Sequence, residues 1–176
     1  MGCGQTVTIT ATLPAAPVFP AADGGEGEES YAVALGEALA AVKRGAHEAA
    51  LPLLRGAARR TADGNDVVLY NLGRVLGHID GTAGRRPVEA IGRLQRCTEL
   101  NPLKARCWLY ICVSKVQAGD MRGAAEVFER AWGLLPLSLH DDEANEEMKL
   151  VKRLRGIFQQ SGQEAAAGGR GGGAEL

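Results

Sequence analysis

Asn101-Pro102 and Leu135-Pro136 enclose two apolar-periodic runs, and their prolines stand 34 residues apart. No other feature constrains the fold as much. A proline pushes the residue before it out of the α region, so each pair marks a helix end. Between them, Trp108, Ile111 and Val116 lie along one side of a first run. Ala118-Gly119-Asp120 then reads as a stop and restart, with Gly119 suited to the left-handed conformation and Asp120 to an N-cap. Ala124, Val127, Phe128 and Ala131 follow at helical spacing. Helix, tight turn and helix in this length form a unit that stacks on its own copies.

The stretch resembles a tetratricopeptide repeat (TPR). Trp108, Gly119-Asp120, Ala124, Phe128, Ala131 and Pro136 match that family in register, with Cys112 as a small residue in place of the usual glycine. An earlier copy is legible in LYNLGRVL at 69–76, with Leu72-Gly73 at the tight contact. Its second helix is PVEAIGRLQRCTELNP at 87–102, where Pro87 stands near the first helical position and Ala90, Leu94 and Cys97 point inward. HIDGTAGRR between these helices exceeds the family's short turn and implies an exposed loop of about three extra residues. A degenerate first copy runs through SYAVALGEALAAVKRGAHEAALPLLRGAARRTADG, with Arg44-Gly45 as its turn and Pro52 inside its second helix. Pro52 costs roughly 3 kcal/mol there unless the helix starts late or bends. SLHDDEANEEMKLVKRLRGIFQQ reads as a terminal helix with Ser138 and Asp141 as a capping box. Its apolar stripe is Ala144, Met148, Val151, Leu154 and Phe158. A solvated cap on the last repeat is the reading preferred over a membrane-surface or calmodulin-target helix.

The resemblance therefore implies an all-α fold: a short right-handed solenoid of antiparallel helix pairs, about three units, plus a C-terminal capping helix. The expected organisation is a disordered linker over 1–29, the helical domain over 30–160 and a disordered glycine-rich tail over 161–176. Aromatic residues at only 5% and abundant alanine and leucine also favour close-packed helices over a β-sandwich.

Composition and motifs narrow the function. A net charge of -1 offers no basic field for nucleic acid. Cys3, Cys97, Cys107 and Cys112 include no C-x-x-C pair, and His47, His78 and His140 complete no ligand cluster, so no metal site is expected. No phosphate loop and no nucleophile–base set can be assembled, so an enzyme, a cofactor and a small-molecule substrate are not expected. Residues before Lys43 carry no Lys or Arg, which disfavours a signal or transit peptide. LPAAPVFPAA is too short and proline-rich to span a bilayer. These signs point to a cytoplasmic protein with reduced thiols.

Such stacks bind extended peptides or helices on the concave face built from the first helix of each pair. Projected in register, that face presents Tyr70, Asn71, Arg74 and His78 from one repeat. The next presents Arg106, Leu109, Tyr110, Val113 and Gln117. A chaperone-type carboxylate clamp is a third reading. Asn71 and Arg106 fit it, whereas Leu35, Leu39 and Tyr110 stand where its Lys, Asn and Arg belong.

The opening MGCGQT fits the N-myristoylation pattern, with Gly2 as acceptor and Thr6 at the hydroxyl position. One myristoyl chain holds a membrane only marginally, at roughly 10⁴ M⁻¹, so stable anchoring needs a second signal. No basic patch is present near Gly2, but palmitate on Cys3 supplies one, and such starts resemble the dually acylated N-termini of some Src-family kinases and G-protein α subunits. The expectation is a membrane-anchored adaptor with a peptide-binding groove on a cytosolic face. The alternative is a soluble structural subunit of a larger assembly.

Overall fold

The structure, a computed structural model, describes residues 26–135 and 145–168. The helices there are α1 (Glu26–Lys43), α2 (His47–Arg60), α3 (Asp66–Thr82), α4 (Val88–Leu100), α5 (Ala105–Gln117), α6 (Met121–Leu134) and α7 (Glu146–Gly168), with no strand among the described residues. They pack as the pairs α1–α2, α3–α4 and α5–α6, stacked in chain order, and α7 lies against α5 and α6. This is the expected all-α repeat solenoid with a terminal helix. Helix α1 begins at Glu26, ahead of the expected boundary at residue 30, and α7 continues to Gly168, past the one at 160.

Local chemistry sets the pairs. Gly45 (φ 77°) and Gly119 (φ 80°) occupy equivalent turns in the first and third pairs. A left-handed residue there reverses the chain with no Cβ clash. Asp120 caps α6 by accepting from the Gly123 N–H at 2.9 Å, and Asn65 caps α3 by accepting from Val67 and Val68 at 3.0 and 3.1 Å. Loss of such a cap costs about 1 kcal/mol. Asn145 Oδ1 takes the Glu147 N–H at 2.9 Å where α7 starts. The expected Ser138–Asp141 capping box lies outside the described residues.

The second pair departs from the sequence reading. The extra residues lengthen α3 to 17 residues, against 13 in α5, and also leave a connection of five residues, 83–87, where the other two pairs have three. The added turn is held because Ile79 packs on the core and Thr82 Oγ1 reaches the His78 and Ile79 carbonyls at 3.0 Å. Asp80 also pairs with Arg85 beyond the helix end at 2.9 Å. Pro52 sits inside α2 without ending it. Pro52 and Glu48, whose carbonyl lacks its usual partner, are both exposed, so water can satisfy that group. Pro87 takes the N-cap position of α4.

Cores differ along the stack. Ala34, Ala38, Ala41, Ala50, Ala57 and Ala58 make the α1–α2 contact, with Leu54 and Leu72 beside them. Phe128, Met148, Val151 and Leu154 fill the α5–α6–α7 end. Gly73 lets α3 approach α4: a Cβ there would meet Leu94 Cγ at 2.5 Å. Trp108, expected between the helices, is only half-buried. Its indole N–H donates to the Pro102 carbonyl at 2.9 Å, and the Arg130 guanidinium stands 4.1 Å from its ring centre.

The expectation of reduced thiols is corrected for one pair. Cys97 of α4 and Cys107 of α5 form a disulfide, and neither exposes any surface. Their spacing matches no motif. The α4–α5 turn instead brings their Cα atoms to 6.3 Å, within bridging range. Cys112 is a buried free thiol whose pKa burial pushes up to about 12, which suits a packing residue. Asp66 adds a second tie between these repeats, accepting from Asn101 Nδ2 at 3.0 Å and Lys104 Nζ at 3.1 Å. Burial works to raise the Asp66 pKa, yet these two bonds and the Lys104 charge hold it below the ordinary value.

Candidate functional site

Residues of α1, α3, α5 and α7, with His47 at the start of α2, line two adjoining hollows on the face made by the first helix of each pair. One, of about 310 Å³, is bounded by Val42, His47, Arg74, His78, Gln117 and Arg153. The other, of about 400 Å³, is bounded by Tyr70, Arg74, Arg106, Tyr110, Glu147 and Leu150. Arg74, Tyr110 and Leu150 belong to both, so they form one groove.

Most of the expected groove residues meet there. Tyr70 packs edge-on to Tyr110 with ring centres 5.6 Å apart, and Arg74 and Lys104 flank its ring at 5.8 and 5.5 Å. Burial first, then Tyr110, pushes the Tyr70 pKa up to about 12, so the phenol stays a neutral hydrogen-bonding group. His78 is exposed and stacks on His47 at 3.9 Å between ring centres. Gln117 reaches across from α5 toward the small Gly81.

Three of the expected residues offer a ligand less than their positions imply. Asn71 is 5% exposed and donates to the Val67 carbonyl one turn back at 2.8 Å, so its amide is spent on its own helix. Leu109 lines the second hollow but is fully buried in the core. Arg106 is ion-paired with Glu147 of α7, which neutralises it.

Sequence reasoning missed His47, Leu150 and Arg153. His47 opens α2, and the face was projected only from first helices. Arg153 lies on α7, read as a solvated cap, although KLVKRLR carried the signal. A wider hollow of about 670 Å³ at the α1–α2 end mixes Glu37 with Arg59 and Arg60 and gathers no single charge. Among the described residues no group of three His, Cys, Asp or Glu is placed to hold a metal, and no helix is long and apolar enough to cross a membrane.

The TPR repeat-containing protein PA0015 of Pseudomonas aeruginosa is 30% identical to the chain over 102 residues, which span 57% of this chain and 92% of that protein. The chain belongs to the tetratricopeptide-repeat proteins. No protein-family model matches it. Among solved structures, the first TPR of Spaghetti (RPAP3), bound to the HSP90 peptide SRMEEVD, superposes with a TM-score of 0.61. That match has 16% identity and covers 76% of this chain and 94% of the other, so it speaks for the fold alone. In TPR register, α1, α3 and α5 are the groove-bearing helices of three repeats. The terminal α7 stands where a fourth would follow.

Proposed function

We propose that the protein is a TPR adaptor that captures a segment of a partner protein in its concave groove and is tethered to the cytosolic face of a membrane through Gly2 and Cys3. The observation that carries the groove is the convergence of Tyr70, Tyr110 and Arg74 with Leu150 and Arg153 of α7 in one depression. Aromatic and arginine side chains are the usual anchors of protein interfaces. The solved TPR of Spaghetti holds a peptide, which is consistent with this use of the fold. The adaptor has no catalytic role in this reading, and it needs no cofactor.

The membrane half of the proposal rests on the MGCGQT pattern alone, since Gly2 and Cys3 lie outside the described residues. A cytosolic location is compatible with the Cys97–Cys107 disulfide, because both cysteines are fully buried and a soluble thiol reaches them only when the helices open.

Two measurements test this. Proximity cross-linking in native cells, followed by pull-down, should recover a partner with wild-type protein and lose it when Arg74→Glu and Arg153→Glu are combined. Exposed charges contribute little to stability, so the fold should persist. Equal recovery by the variant would remove the groove. Separately, Gly2→Ala should move the protein from the membrane fraction to the soluble one, and Cys3→Ser should leave weak, exchanging attachment. A free, unacylated N-terminus by intact mass would remove the anchor.

A further inference from the structure

We infer that the partner segment is acidic and that its capture is coupled to proton uptake by the stacked His47–His78 pair. The inference rests on the groove reading above and adds the chemistry of what the groove takes. The hollow around the pair carries the fixed positive charges of Arg74 and Arg153 and, among the described residues that line it, no carboxylate. Neither guanidinium has an ion-pair partner among the described residues, although Arg74 lies over the Tyr70 ring at 5.8 Å. Unpaired arginines in a recess favour an anion, and a guanidinium meets a carboxylate with two parallel hydrogen bonds.

The groups around the pair come from every helix bordering the hollow. Helix α1 offers only the apolar Val42; α2 offers His47 itself; α3 offers Arg74 and His78. Helix α5 offers neutral Ser114 and Gln117 and the Tyr110 phenol, and α7 offers Leu150 and Arg153. Glu146 and Glu147 border the adjoining hollow and are engaged by Lys149 and Arg106, and the Arg153 charge also acts on Glu146; Glu48 and Asp80 adjoin the pair along the chain, Asp80 in an ion pair with Arg85. The groove thus places the imidazoles beside the Arg74 and Arg153 guanidinium groups. The His78 pKa lies below the ordinary histidine value, through burial first and the His47 charge second. Carboxylates brought in by a partner oppose that lowering and favour the protonated form of the pair. The sign follows: the bound state carries more protons, so affinity rises as pH falls through the histidine range. Peptide carboxylates remain ionised there, since their own pKa values sit near 4.

The test uses the full-length protein and three fluorescein-labelled peptides, with Glu, Gln or Lys residues around a single Leu that can meet Val42 and Leu150. Anisotropy is read at about pH 7.5 and about pH 6, and imidazole titrations are followed by NMR with and without the Glu peptide. The Glu peptide should bind, the Gln and Lys peptides should not compete, and affinity should rise about three- to tenfold on acidification. That range corresponds to about half to one pKa unit gained by a histidine. The His78 imidazole pKa should rise on binding. In His47→Gln/His78→Gln, with a wild-type melting curve, the pH dependence should vanish. A Gln peptide that binds as well as the Glu peptide overturns the acidic class. Glu-peptide binding with unmoved histidine pKa values overturns the proton coupling. Either result leaves the adaptor standing, which only partner recovery by the Arg74→Glu/Arg153→Glu variant removes.

Discussion

The first and third repeats have the same shape and reach it by different packing. In the first, α1 and α2 meet through six buried alanines with Leu54, and the aromatic Tyr31 is only partly buried against them. In the third, α5, α6 and α7 enclose Phe128, with Phe158 edge-on at 5.5 Å, and Met148 and Leu154 complete the contact. The turns are alike, with Gly45 and Gly119 both left-handed. The pair architecture therefore depends on a reversing turn and on facing stripes of compatible size more than on large signature side chains. Small residues let helix axes approach, and large ones fill the wider gap where a third helix joins.

That difference predicts opposite sensitivities. The largest effect should come from Phe128→Ala, which empties a site where the ring is 4% exposed and should cost about 3–5 kcal/mol by chemical denaturation. Trp108→Ala should cost less, about 1.5–3 kcal/mol, because the ring is only partly buried against the core. If Trp108→Ala proved the more damaging of the two, the third repeat's core would be centred elsewhere.

Next in size is the staple between the second and third repeats. Removing the disulfide with Cys97→Ala/Cys107→Ala should cost about 3 kcal/mol, the chain-entropy value for a loop closed across ten residues. Comparison of denaturation midpoints with and without reductant gives the same quantity independently. A wild-type midpoint that ignores reductant, together with two titratable thiols in the unfolded protein, would mean that the bond is not formed in solution.

The smallest effect belongs to the alanine repeat. Ala38→Leu adds volume where no surface is exposed and should cost about 1–3 kcal/mol through overpacking, whereas a large residue at an α5–α7 contact is native. Amide hydrogen exchange should show faster opening of α1 and α2 in this variant, with α5 to α7 unchanged. Uniform acceleration along the chain would instead mean that the repeats unfold as one unit.

Periodicity and turn chemistry determined much of this protein. The 34-residue spacing, Gly119-Asp120, and the Leu72-Gly73 approach were readable because each rests on local backbone rules. So were most groove residues, because adjacent repeats place equivalent positions side by side. Tertiary structure decided what local rules cannot reach. Most of the excess in HIDGTAGRR became an added turn of α3 because Ile79 found core to pack on and Thr82 and Asp80 found partners. Cys97 and Cys107 became a bridge because a turn between two helices brought their Cα atoms together, which sequence spacing does not encode. Arg106 was paired with Glu147 while Arg153 took a place in the groove, because the packing of α7 fixes which of its charges face α5. Sequence thus set the helices and their order, and the charge a partner would meet was settled by contacts between residues far apart in the chain.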